Sequence, residues 1–138
     1  MHIVGLDHVQ LAMPLGGEEV ARRFYAGLLG LVEVTKPHPL AARGGCWFEA
    51  PGTILHLGVE AGFSPARKAH PALRVNDLEA LRRILIAAGA GVVPDDTLPD
   101  VHRFYASDPF GNRLEFIQDG EGFAQRRALA GRTPDDER

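Results

Sequence analysis

The chain is poor in cysteine: Cys46 is the single one in 138 residues. No intramolecular disulfide can form, which excludes a small disulfide-stapled scaffold. No apolar run approaches the roughly 18 residues of a membrane span, so no membrane partner is expected. Basic charge is not in excess. Lys and Arg number 15 against 18 Asp and Glu, the formal net charge is −3 and the signs are interspersed. A nucleic-acid surface would ask for a basic patch, so none is expected as partner. After Met1 comes a short strand-like apolar run, without the basic region and long apolar core of a signal peptide. These absences lead to a cytoplasmic globular protein. What is present agrees with that: the length suits one domain, and an apolar content of 45% can fill a core.

Periodicity divides the chain into two similar halves. His8 to Met13 alternates as a strand, and Gly16-Gly17 breaks it. Glu18 to Leu29 reads as a helix with Val20, Ala21, Phe24 and Leu28 on its apolar stripe, and Gly30 follows at a C-cap. Leu31 to Thr35 is a strand, Pro37 to Gly45 a loop, and Cys46–Glu49 and Thr53–Glu60 form two strands around Pro51-Gly52. The order then restarts. His70 to Val75 is a strand, and Asn76 or Asp77 caps a helix to Ala88 with Leu78, Leu81, Leu85 and Ala88 facing inward. Gly89 closes it, and Val92-Val93 is a short strand. His102–Ser107 and Arg113–Gln118 flank the turn Asp108-Pro-Phe-Gly-Asn112. Strand, helix and three strands thus occur twice, over residues 3–60 and 70–118. They predict an α+β protein of two βαβββ modules sharing one cupped mixed sheet, a single domain over 1–120. Residues 121–138 form a C-terminal tail, a short helix or frayed end, disordered from Thr133.

Strand parity isolates a chemical face. Alternate side chains point to opposite sides of a strand. His8, His56, His70 and Glu115 each stand on the side opposite an apolar row fit to lie beneath a helix. His8 and His70 open the two modules; His56 and Glu115 lie in the last strand of each. If the modules pair about a pseudo-twofold axis, the four converge, and imidazoles with a carboxylate suit Zn, Ni, Mn, Co or Fe as divalent ions. Arg74, Arg103, Tyr105 and Arg113 share that parity. The three arginines are candidates for anchoring an anionic small-molecule substrate, and Tyr105 for a hydrogen-bond donor; rim salt bridges are the other reading. Cys46 reads as a buried small hydrophobe. Gly16-Gly17 lacks the following Lys-Ser/Thr of a phosphate loop. His2, His38 and His102 read as surface or loop residues.

Five segments carry a family resemblance: Gly5-Leu-Asp-His-Val9, Phe24-Tyr-Ala-Gly-Leu-Leu-Gly-Leu31, Ile54-Leu-His-Leu57, His70-Pro-Ala-Leu-Arg-Val75 and Asp108-Pro-Phe-Gly-Asn-Arg-Leu-Glu-Phe116. Together they resemble the glyoxalase/bleomycin-resistance/dioxygenase (vicinal oxygen chelate) superfamily over about residues 3 to 118. The resemblance implies a divalent metal on His8, His56, His70 and Glu115, with Glu115 and Tyr105 as catalytic groups, and a site built within one chain or across a homodimer, the default. It implies a metal-dependent lyase or isomerase acting on a small vicinal-oxygen substrate. An extradiol-type dioxygenase, a fosfomycin-type thiol transferase and a metal-free drug-binding protein are the alternatives. One departure is visible. Glyoxalase I proteins generally carry Glu or Gln where this chain has His56. Glu115 is then the one carboxylate of the set, which puts a two-carboxylate mechanism in question.

Overall fold

A computed structural model describes residues 2–125. The strands are β1 (Val9–Met13), β2 (Val32–Val34), β3 (Cys46–Ala50), β4 (Thr53–Val59), β5 (Ala72–Val75), β6 (Val92–Pro94), β7 (Arg103–Ser107) and β8 (Arg113–Gln118). The α-helices are α1 (Glu18–Arg22) and α2 (Leu78–Ala87). The single expected sheet is two four-stranded mixed sheets of the same order, β1-β4-β3-β2 and β5-β8-β7-β6. In each, the first strand runs parallel to the last. A parallel pair needs a crossover, and α1 and α2 begin those crossovers. The α+β class and the doubled βαβββ order are therefore as read from the sequence. The expected disorder from Thr133 falls outside the described residues.

The chain forms two compact units. One runs through Pro71 and takes in Ser107–Arg113; the other holds Ala72–Ala106 and resumes at Leu114. In the first, Leu11, Met13, Phe48, Leu55 and Leu57 are buried together with Ala21, Phe24 and Tyr25. In the second, Phe104, Ala106, Leu114 and Phe116 are buried with Leu78, Leu81 and Leu85. Burying each large side chain contributes about 1.5–3 kcal/mol.

Three details differ from expectation. The helix from Glu18 to Leu29 is α-helical only to Arg22; Arg23–Leu28 is a π-helical turn, closed by Leu29 N–H donating to the Phe24 carbonyl five residues back. The wider turn lets the adjacent Phe24 and Tyr25 both face the core, at 4% and 0% exposure. Val20, expected on the stripe, is exposed. A 3₁₀ turn at Leu40–Arg43 interrupts the expected loop. In α2 the Asp77 cap is as expected, its Oδ1 accepting from Ala80 N–H at 3.0 Å. Ala88, expected inward, is the exposed C-cap.

The Asp108–Asn112 turn is held by a buried polar network. Asp108 Oδ2 accepts from the Tyr25 hydroxyl at 2.7 Å and from Asn112 Nδ2 at 2.9 Å. Its Oδ1 accepts from the Phe110 and Asn112 amides, both at 2.9 Å. Asn112 Nδ2 also donates to the Ala12 carbonyl at 2.8 Å, and Asn112 Oδ1 accepts from Ala66 N–H at 3.1 Å. Burial, and then the Asp108 charge, raise the Tyr25 phenol well above its ordinary value, so it stays a donor.

Replacing Asn112 with Ala strands the Ala12 carbonyl and the Ala66 amide. Each unsatisfied buried group costs about 1–3 kcal/mol, so urea unfolding should show a loss of about 3 kcal/mol. Tyr25→Phe leaves Asp108 three other donors and should lose about 1 kcal/mol. Equal losses would contradict this ranking.

Candidate functional site

In the first sheet the pairing register decides which side chains meet. β4 lies between β1 and β3, with Gln10 opposite His56 and Trp47 opposite His56. Cross-strand partners share a face. His56 and Trp47 therefore stand together, and His8, two residues before Gln10, has the same parity. The apolar row of β4, Leu55 and Leu57, is buried on the other face. Gly58 makes room on the chemical face, because a Cβ there would lie 2.6 Å from Gln10 Nε2.

His56 is held between two rings. Trp47 lies parallel to it, with centroids 4.0 Å apart and an interplanar angle of 2°. His8 stacks at 4.5 Å and 28° from the β1 side. Only 8% of His56 is exposed. Burial, and then the neighbouring His8, lower its pKa from the ordinary 6.5, while Asp7 and Glu49 act the other way. His8 itself stands just before β1, with its Nδ1–H donating to Asp7 Oδ1 at 2.7 Å.

His70 was expected to open a strand. It lies two residues before β5, half-buried, and its Nδ1–H donates to the Lys68 carbonyl at 2.8 Å.

In the second unit Glu115 is 4% exposed, on the face it shares with its β5 partner Ala72. Arg103 Nη1 lies 3.5 Å from Glu115 Oε2, and Arg103 Nη2 lies 3.0 Å from Asp95 Oδ2. Asp95 is itself fixed, its Oδ1 accepting from Thr97 N–H at 3.0 Å. The Thr97 hydrogen bonds first, and Arg103 after them, lower the Asp95 pKa. The Arg103 guanidinium also lies over the Phe123 ring at 5.4 Å and the Tyr105 ring at 5.9 Å. Burial, followed by the nearby Glu115 carboxylate, raises the Tyr105 pKa, so its hydroxyl keeps its proton.

The remaining candidates are more open. Arg74 is exposed and 3.8 Å from Asp119 Oδ1. Arg113 is half-buried, and its backbone N–H donates to the Ala66 carbonyl at 2.8 Å. The structure thus brings His8 to His56, and Arg103 and Tyr105 to Glu115. Among the described residues, no three His, Cys, Asp or Glu side chains are grouped to share an ion. Cys46 is buried, as expected.

Sequence reasoning missed Trp47, Asp7 and Asp95. Trp47 had a signal, since counting outward from the Pro51-Gly52 turn pairs Ala50 with Thr53 and so Trp47 with His56. Asp95 lies in the loop after β6, where no periodicity applies.

A family model described as "Glyoxalase-like domain" matches residues 15–117. Among solved structures, a protein described as of the glyoxalase family, from Bacillus anthracis, is 49% identical with a TM-score of 0.81. The match covers 86% of this chain and 97% of that one. TnmS3, an antibiotic binding protein from Streptomyces sp. CB03234, is 22% identical with a TM-score of 0.61, covering 85% and 98%. A variant of the fosfomycin resistance protein FosX from Listeria monocytogenes, complexed with Mn(II) and 1S,2S-dihydroxypropylphosphonic acid, is 15% identical. Its TM-score is 0.72, with 90% and 97% covered. The last two show likeness of fold alone. No curated protein matches the chain. The family model spans most of the chain and the Bacillus anthracis protein shares half its residues over nearly all of it, so this chain belongs to the glyoxalase-like family.

Proposed function

We propose that the chain is a divalent-metal-dependent lyase or isomerase of the glyoxalase type, acting on a small substrate with two neighbouring oxygens. His8, His56, His70 and Glu115 are its metal donors, with Zn, Ni, Mn, Co or Fe as the ion, and a homodimer completes the set. The observation that carries this reading is the anchoring of the two strand-entry histidines. His8 Nδ1–H is tied to a carboxylate and His70 Nδ1–H to a carbonyl, both pure acceptors. In the neutral rings Nε2 therefore bears the lone pair, which is how metal-ligating histidines are oriented. The donor chemistry fits a borderline divalent ion, and the Mn(II) of the FosX complex is an ion of this class.

When bound, such an ion supplies Lewis-acid stabilisation of negative charge on a substrate oxygen. The chain's own groups have separable tasks. Glu115 is the one carboxylate of the set and the proton acceptor. Tyr105 keeps its proton beside Glu115. Arg74, Arg103 and Arg113 are the anchors for an anionic substrate, Arg103 being held in place by Asp95 and Glu115.

Protein purified without added metal should carry about one ion per chain by elemental analysis. Titration calorimetry of chelated protein should show stoichiometric binding, weakened about 10–100-fold by His8→Ala or Glu115→Gln. Stoichiometric binding of none of these metals, or variants that bind as well as wild type, would overturn the reading in favour of a metal-free binding protein.

The lowered His56 pKa sets a second expectation. Below the ordinary value of 6.5 the unfolded chain takes up a proton that the native ring resists. Stability contributed at higher pH is then lost as pH falls through the folded value. The urea midpoint of the apo protein should drop between pH 8 and pH 5.5 more steeply in wild type than in His56→Gln. Identical slopes would assign the burial effect elsewhere.

A further inference from the structure

We infer that Trp47 is a positioning residue for His56, fixing the plane of its imidazole so that the ring edge alone is offered to a ligand. The inference rests on the metal reading above but concerns a residue outside the donor set. An imidazole nitrogen binds through a lone pair lying in the ring plane, so whatever fixes the plane fixes the direction of the donor. A histidine at mid-strand with one open face would retain rotation about χ2, a broad torsion. Here β4 is flanked by β1 and β3, and the two neighbours supply a ring each. Trp47 covers one face at 4.0 Å and 2°; His8 meets the other at 4.5 Å.

The arrangement is built into the backbone. Trp47 and His56 are direct partners in the β3–β4 ladder, four pairs from the hairpin turn that sets the register. The neighbouring residues on both strands, Cys46, Phe48, Leu55 and Leu57, are each at or below 1% exposure, which pins both strands from the opposite face. The Trp47 ring is uncharged, so its removal changes no charge near the donor atoms. Loss of orientation is then the main effect to be measured. Outer partners of metal ligands are worth about 10–100-fold in affinity.

Trp47 is also the single tryptophan of the chain, so its emission reports on the ring beside it. In wild-type protein, Ni²⁺ should quench Trp47 emission with the same stoichiometry that calorimetry gives. In apo protein, the His56 ring protons should be shifted upfield by the indole ring current, and Trp47→Leu should remove that shift. Zn²⁺ affinity should fall about tenfold in Trp47→Leu and recover most of the way in Trp47→Phe, which restores a flat ring. Urea unfolding of the apo variants checks that they fold.

Stoichiometric Ni²⁺ binding without quenching, or a Trp47→Leu variant that binds Zn²⁺ within twofold of wild type, would overturn the role of Trp47 and leave the metal reading standing. Wild type that binds neither ion removes both. Because quenching and ring-current shift are read on wild type, the outcome does not depend on any variant folding.

Discussion

The parallel pairing of the first and last strand in each module is the constraint on which the rest of the structure depends. A parallel ladder cannot be closed by a tight turn, so the chain must leave the sheet and return. That excursion supplies the helix, and the helix needs an apolar face to cover. Once β1 lies beside β4 with Val9 opposite Leu55, every side chain of both strands is assigned a side. Leu11, Met13, Leu55 and Leu57 go to the core, and His8 and His56 to the other face. A slip of one residue would exchange the two sets, turning His56 toward the helix-covered core and the leucines onto the histidine face. The burial of four large side chains opposes such a slip by several kcal/mol. The hydrophobic effect thus holds the polar residues in place without touching them.

The same logic acts in the second unit, with a harder electrostatic problem. Glu115 pairs with Ala72 on β5 and is almost fully buried. A carboxylate taken from water must recover its solvation from fixed donors. Arg103 does this with Tyr105 beside it, and Arg103 is in turn balanced by Asp95. A guanidinium placed between two carboxylates adds donors without leaving a positive charge uncompensated. Asp95 is carried by its own Asx-type turn to Thr97, so the network ends on backbone.

Much of this was legible beforehand, for a physical reason. Strand parity has a period of two, and a histidine among leucines marks the side that is not core. His56, Glu115, Arg103 and Tyr105 all lie on the face assigned to them from alternation. What alternation cannot reveal is what a side chain touches across strands. Arg103 read equally well as a substrate anchor or a salt-bridge member, and its Asp95 partner sits in an aperiodic loop. The π-helical turn was hidden because Phe24 and Tyr25 fit a helical stripe only approximately. Both are buried along the widened turn, and the Tyr25 hydroxyl meets Asp108 from a distant part of the sequence.

His56 brings no negative charge of its own to the proposed ion. Asp7 Oδ1 accepts from His8 Nδ1–H at 2.7 Å, which fixes the orientation and tautomer of that ring. In the second unit Asp95 balances the charge of Arg103. In the proposed centre Asp7 acts through the His8 imidazole. A neutral His56 is also what burial enforces, because two stacked imidazoles cannot both carry a proton at low cost. In the metal centre proposed above, Glu115 is the one carboxylate of the donor set, so the role of acceptor for a substrate proton falls to it.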